Sequence, residues 1–106
     1  MADNSRPQLT REAHIEVIED ARRSIDNLDS ALVSILAERF RLTEKIGKAK
    51  AAMGIDAMDP VRERAQFERF RKLAAANGLN VDVVIDVMTK IIQHVKDRHR
   101  VLLNGR

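Results

Sequence analysis

Residues 10–53 read TREAHIEVIEDARRSIDNLDSALVSILAERFRLTEKIGKAKAAM, with no proline and a single glycine, Gly47. Apolar residues recur through this stretch at seven-residue spacing. One series is Ile18, Ile25, Leu32, Arg39, Ile46, and its companion is Ala21, Leu28, Ile35, Leu42, Ala49. These are the a and d positions of one long amphipathic helix. Thr10 is placed to cap its start and Gly54 to end it. A helix of roughly 40 residues is about 60 Å long at 1.5 Å per residue. A compact domain of ~100 residues has a radius of gyration of only about 13 Å. Such a rod overhangs the rest of its own chain, and its apolar stripe stays wet unless a second copy covers it. The simplest remedy is a homodimer in which two long helices pack together. The competing arrangement is a helix broken near Asn27.

Outward from that helix, residues 1–9 are polar, contain Pro7 and read as a flexible tail, so the helical domain spans residues 10–106. Residues 54–59 form a linker. Asp59-Pro60 then starts a second helix, with Asp as N-cap and Pro at the first helical position. It runs to about Asn77, carries Glu63, Phe67, Phe70 and Ala74 along one face, and is stopped by Asn77-Gly78. Asn80 caps a third helix over residues 81 to about 103, striped with Val84, Met88, Ile91, Val95, His99 and Leu102. No repeat or low-complexity segment interrupts this order. The expected fold class is all-α, a three-helix subunit with a long first helix, intertwined as a homodimer.

Composition narrows the function classes. Of 106 residues, 44% are hydrophobic and 33% charged, the balance of a globular domain rather than a disordered tail. Only four Gly, two Pro and three aromatic residues, all Phe, argue against a β-rich fold. The absence of Cys excludes disulfide scaffolds, thiolate metal sites and cysteine nucleophiles. Nineteen basic against 16 acidic residues leave a net charge of +3 with both signs interspersed, so nucleic-acid binding by bulk electrostatics is not implied. No apolar run approaches the ~20 residues that span a bilayer, and the polar N-terminus shows no signal peptide. The expectation is a cytoplasmic protein without a membrane partner.

The informative positions are those where charge interrupts an apolar stripe. Arg39 is the one charged residue in the two heptad series, and a buried guanidinium needs a carboxylate or an anionic ligand. A polar a position can also do no more than set register and oligomer state. Lys50 follows Arg39 by three turns plus ~20°, nearly on the same face. Arg22 is turned about 100° away from Arg39, so it joins a shared pocket more easily from a partner's helix than from its own. Asp59 caps the second helix, Arg62 and Glu63 lie in its first turn, and Glu63 shares a face with the phenylalanines. An ion pair with a buried Arg explains an inward Glu63 without further function. His99 lies on the third helix's inner stripe, where a lone His is commonly a core or rim residue. His14 and His94 have no metal-ligand spacing with acidic partners and read as surface. No glycine-rich phosphate loop or hydrolase elbow is present. What survives is a cation-rich pocket between helices, without nucleophile or metal, suited to a compact polyanion and to electrostatic complementarity.

Four segments in one order carry a family resemblance: residues 22–29 (RRSIDNLD), 36–39 (LAER), 46–50 (IGKAK) and 59–63 (DPVRE). In order and spacing, across residues 21 to 99, the chain resembles the all-helical chorismate mutases. The resemblance implies an intertwined dimer of three-helix subunits and conversion of chorismate, a dianion, to prephenate by a one-step Claisen rearrangement. That reaction is unimolecular and needs no base, nucleophile, cofactor or metal. The protein holds the substrate in its compact diaxial form and stabilises negative charge growing on the ether oxygen. By position, Arg39 and the partner protomer's Arg22 resemble the clamps on the two carboxylates, for which a planar guanidinium fork is suited. Lys50 resembles the cation that touches a carboxylate and the ether oxygen. Asp59, through its backbone, and Glu63 resemble the groups that hold the ring hydroxyl, and Arg62 a further cation of the site.

Two positions depart from the better-known bacterial pattern. Val95 stands where a small hydroxyl residue contacts a carboxylate, and His99 where Gln or Glu donates to the ether oxygen. Imidazole donates from one nitrogen when neutral and from both when protonated, so the expectation is that His99 donates to that oxygen with pH-dependent strength. The resemblance also allows activation by another shikimate-pathway enzyme. Two other readings compete. An isochorismate-pyruvate lyase on the same fold shares Arg22, Arg39 and Lys50, although residues 59–63 favour the mutase. A non-enzymatic helical dimerisation module accounts for the rod, but gives no reason to place Arg39 and Lys50 on one face.

Overall fold

The computed structural model describes residues 8–56 and 58–105. Among them the secondary structure is three helices, α1 (Arg11–Met53), α2 (Pro60–Ala76) and α3 (Val81–Asn104), and no strand. Of the expected tail, residues 1–7 lie outside the described residues, as do Ala57 of the linker and Arg106 of the helical domain.

Each helix boundary follows from the residue standing there. Thr10 Oγ1 accepts from the Ala13 N–H at 3.1 Å, meeting one of the orphan donors that begin α1. Asp59 Oδ1 does the same for the Arg62 N–H at 3.0 Å, with Pro60 at the first helical position. Asn80 Oδ1 accepts from the Asp82 N–H at 2.8 Å to open α3. Both α1 and α2 end in the same paired motif. Gly54 has φ +69°, its N–H bonds Ala51 O, and the Ile55 N–H reaches back to Lys50 O at 2.9 Å. Gly78 has φ +66°, its N–H bonds Ala75 O, and the Leu79 N–H reaches Ala74 O at 2.9 Å. Left-handed backbone at these two positions favours glycine, which has no Cβ to clash.

The helix α1 continues unbroken past Asn27. The chain divides between Glu38 and Arg39 into two units. In the first, the apolar heptad positions face outward: Ile18, Ile25, Leu28, Leu32 and Ile35 are 48–68% exposed. In the second, the C-terminal part of α1 joins α2 and α3 around a small core of Ala51, Phe70, Ala74 and Ile92, with His99 buried among them. Phe67 meets Phe70 edge to face at 5.5 Å. Gly47 is buried where α3 crosses α1. A Cβ there would lie 2.5 Å from His99 Cδ2 and 2.8 Å from Leu102 Cδ1, so only a glycine lets the imidazole rest against the α1 backbone. A bidentate ion pair fastens the same two helices: Arg98 Nε donates to Glu44 Oε2 at 3.0 Å and Arg98 Nη2 to Oε1 at 2.7 Å. None of the helices is long and apolar enough to cross a membrane.

Candidate functional site

The second unit carries an open-mouthed cavity of about 280 Å³ walled by all three helices. From α1 come Arg39, Leu42, Thr43, Ile46 and Lys50, three turns of one face. The start of α2, with its cap, supplies Asp59, Arg62, Glu63 and Gln66. From α3 come Ile92, Val95, Lys96 and His99. Seven of the eight residues expected from the sequence are therefore brought together: Arg39, Lys50, Asp59, Arg62, Glu63, Val95 and His99. The eighth, Arg22, is an exposed residue of the first unit.

Charge on this wall is unbalanced. Four cations (Arg39, Lys50, Arg62 and Lys96) face two carboxylates (Asp59 and Glu63), a difference of +2 with His99 neutral. Arg39 is half-buried, and its Nη1 is fully shielded without a hydrogen-bond partner among the described residues. A polar nitrogen in that state is costly unless an acceptor arrives, and a guanidinium asks for an anion. Asp59 is turned toward the α2 backbone by its cap, leaving less of its charge directed inward.

His99 Nε2 lies 2.8 Å from Thr43 O. A carbonyl can only accept, so Nε2 is the protonated nitrogen, and the Nδ1 of a neutral ring carries a lone pair. The imidazole is also a partition. Beyond it is a smaller cavity of about 190 Å³, lined by Phe40, Glu44, His94 and Arg98. There the Arg98 hydrogen bond, against a smaller opposing effect of burial, holds the Glu44 carboxyl below its ordinary value. Glu44 in turn raises Arg98. His14 is exposed, and His94 is exposed with its ring 5.0 Å from that of Phe40.

Two features differ from expectation. Glu63 pairs not with an arginine but with Lys96, whose Nζ donates to Oε1 at 3.0 Å and lies 2.7 Å from Oε2. Lys96 itself, with Thr43 and Gln66, is a lining residue that the stripes did not single out. A signal for it exists in the spacing, because Ile92, Val95, Lys96 and His99 stand at i, i+3, i+4 and i+7 on one face of α3. Among the described residues no group of His, Cys, Asp or Glu has the arrangement to hold a metal ion. The arrangement can bind a compact dianion through fixed cations and stabilise negative charge that shifts within it.

Comparison with known proteins agrees with that chemistry. Residues 21–100 match the family described as chorismate mutase type II. A chorismate mutase of Methanocaldococcus jannaschii is 30% identical over 82 residues, 77% of this chain and 83% of the relative. An intracellular chorismate mutase of Mycolicibacterium smegmatis is 29% identical over 68 residues, 64% of this chain and 65% of the relative. A bifunctional chorismate mutase/prephenate dehydratase of Escherichia coli is 35% identical over 72 residues, 68% of this chain but 19% of that longer protein.

Proposed function

The chain belongs to the chorismate mutase type II family, and on that footing we propose that the cavity walled by Arg39, Lys50 and His99 is where it rearranges chorismate to prephenate. The reaction serves aromatic amino acid biosynthesis. One carbon–oxygen bond of the ether breaks as one carbon–carbon bond forms, within a single molecule. No proton, electron or group is exchanged with the protein. Catalysis then lies in holding the reactive conformer and in placing positive charge where negative charge grows.

The observation that carries this reading is the shielded, unpartnered Nη1 of Arg39 on the wall of a cavity with two surplus positive charges. Arg39 clamps one substrate carboxylate in the planar, bidentate manner that guanidinium allows. Lys50 reaches a carboxylate and the ether oxygen, so its charge matters more as the bond breaks. Glu63 and the Asp59 backbone hold the ring hydroxyl, and Arg62 adds to the positive field at the entrance. Val95 contributes shape only. His99 donates to the ether oxygen. The proton it uses is the one on Nε2, which turns from the Thr43 carbonyl to the substrate.

The exposed Ile18, Ile25, Leu28, Leu32 and Ile35 support a homodimer built on α1, since burying each such side chain contributes about 1.5–3 kcal/mol. In that dimer of helical domains, residues 10–106, Arg22 of the partner subunit clamps the second carboxylate. The protein acts in the cytoplasm, and another shikimate-pathway enzyme is a candidate activating partner.

Chorismate depletion by the purified chain tests the assignment. Wild-type protein converts chorismate to prephenate, Lys50→Ala lowers kcat by about 10²–10³ or more, as expected for a lost charge-stabilising donor, and His99→Ala lowers it by a smaller factor. Unchanged turnover in His99→Ala beside an inactive Lys50→Ala removes His99 from the mechanism. Formation of salicylate from isochorismate, faster than prephenate from chorismate, assigns the chain to the lyase reaction instead.

A further inference from the structure

Among the cations of the cavity, Lys96 is used differently from the rest. Arg39, Lys50 and Arg62 make no ion pair among the described residues, whereas Lys96 on α3 is committed to Glu63 on α2. The pair sits on the cavity wall, with the two side chains 22% and 32% exposed, so the charge of Glu63 is felt inside. Glu63 is the carboxylate least occupied by the backbone, and an incoming dianion has to approach it.

We propose that Lys96 is a positioning residue for the substrate, acting through Glu63: it neutralises the field of that carboxylate and fixes its orientation so that a dianion can lie against it. This rests on the reading of the cavity given above. Like charges brought together in a partly desolvated site cost several-fold to many-fold in affinity, and a lysine ammonium within hydrogen-bond reach of both oxygens removes most of that repulsion. An ionised carboxylate has about four acceptor positions. Lys96 therefore holds Glu63 without exhausting its capacity to accept a hydroxyl. The local charge count makes the same point: the Lys96–Glu63 pair is neutral, and without Lys96 that part of the wall carries −1. The side chain beside it, Val95, offers no polar group to share this work.

The test is a double-substitution cycle on the full chain, read by steady-state kinetics with chorismate. Lys96→Met should raise KM about tenfold or more while kcat falls less than about threefold, because binding of the dianion rather than the bond change is affected. Lys96→Arg, which keeps the charge and the pairing, should stay within about threefold of wild type. In a Glu63→Gln background, where the amide needs no neutralising partner, Lys96→Met should change KM by less than about twofold. Lys96→Gln, with helical content followed by circular dichroism, gives the same readout should the methionine variant fail to fold. Equal KM values for wild type and Lys96→Met, or additive effects of the two substitutions, overturn the proposal. Wild-type protein that leaves chorismate intact overturns the reading of the cavity and this inference with it, so the two failures are distinguishable.

Discussion

Arg39 Nη1 and His99 Nε2 show how single atoms carry the chemistry. The first is a shielded donor with no acceptor among the described residues, and the second is a donor already satisfied by Thr43 O. Their states have opposite consequences. Arg39 is free to take up an anion, whereas the Nε2 proton of His99 has to leave the Thr43 carbonyl before it can serve the proposed ether oxygen. The groups around this ring are Arg39, Lys50, Arg62 and Lys96 with Asp59 and Glu63 on one side, and Glu44, His94 and Arg98 on the other. On the reading proposed above, His99→Gln, whose amide keeps a donor, should retain more of the wild-type kcat than His99→Leu, which has none. Equal losses of kcat in the two variants contradict the role given to the ring.

At the scale of helices, the clasp between Glu44 on α1 and Arg98 on α3 keeps His99 and the Thr43 carbonyl in register. Arg98 depresses the Glu44 carboxyl below its ordinary value of 4.5. A carboxylate whose folded value is depressed contributes stability above its unfolded value and loses it as pH falls through the folded one. The melting temperature of Arg98→Leu should therefore lie below that of wild type at pH 7, and the gap should close as pH drops well below 4.5. A gap that persists in acid means the lost contribution is packing of the arginine stem, not charge. Helices are also where the sequence was most legible. Thr10, Asp59-Pro60, Asn80, Gly54 and Gly78 mark boundaries because caps and left-handed turns are local chemistry, decided within a few residues. The same holds for Arg39 and Lys50, which share a face of one helix. Lys96 was not legible in that way. Its importance depends on how α2 and α3 register across 33 positions of chain, and a lysine on a half-apolar stripe reads equally well as a snorkelling surface residue. The partner of Glu63 was misjudged for the same reason. Gly47 gave no local signal either, since only the crossing of α3 explains why a Cβ is intolerable there.

For the whole molecule, the long first helix and its exposed apolar residues turn a question of stability into one of catalysis. If the stripe of Ile18, Ile25, Leu28, Leu32 and Ile35 is covered by a second copy, the site can be completed by a residue that its own subunit does not supply. On the reading proposed above, that residue is Arg22. The heptad pattern made the need for a cover legible, because an uncovered stripe of that length is a solvent-exposed liability. It could not say which residue crosses, and only the 100° offset between Arg22 and Arg39 pointed to the partner. The most direct test is complementation between two inactive chains. Arg22→Ala and Arg39→Ala are each expected to be nearly inactive alone. After the two are mixed in equal amounts and co-refolded, half of the dimers are mixed, and each mixed dimer regains one of its two sites. Activity should return to roughly a quarter of the wild-type value, as two-fold symmetry requires. A mixture no more active than the sum of the separate variants contradicts a cavity built from both subunits.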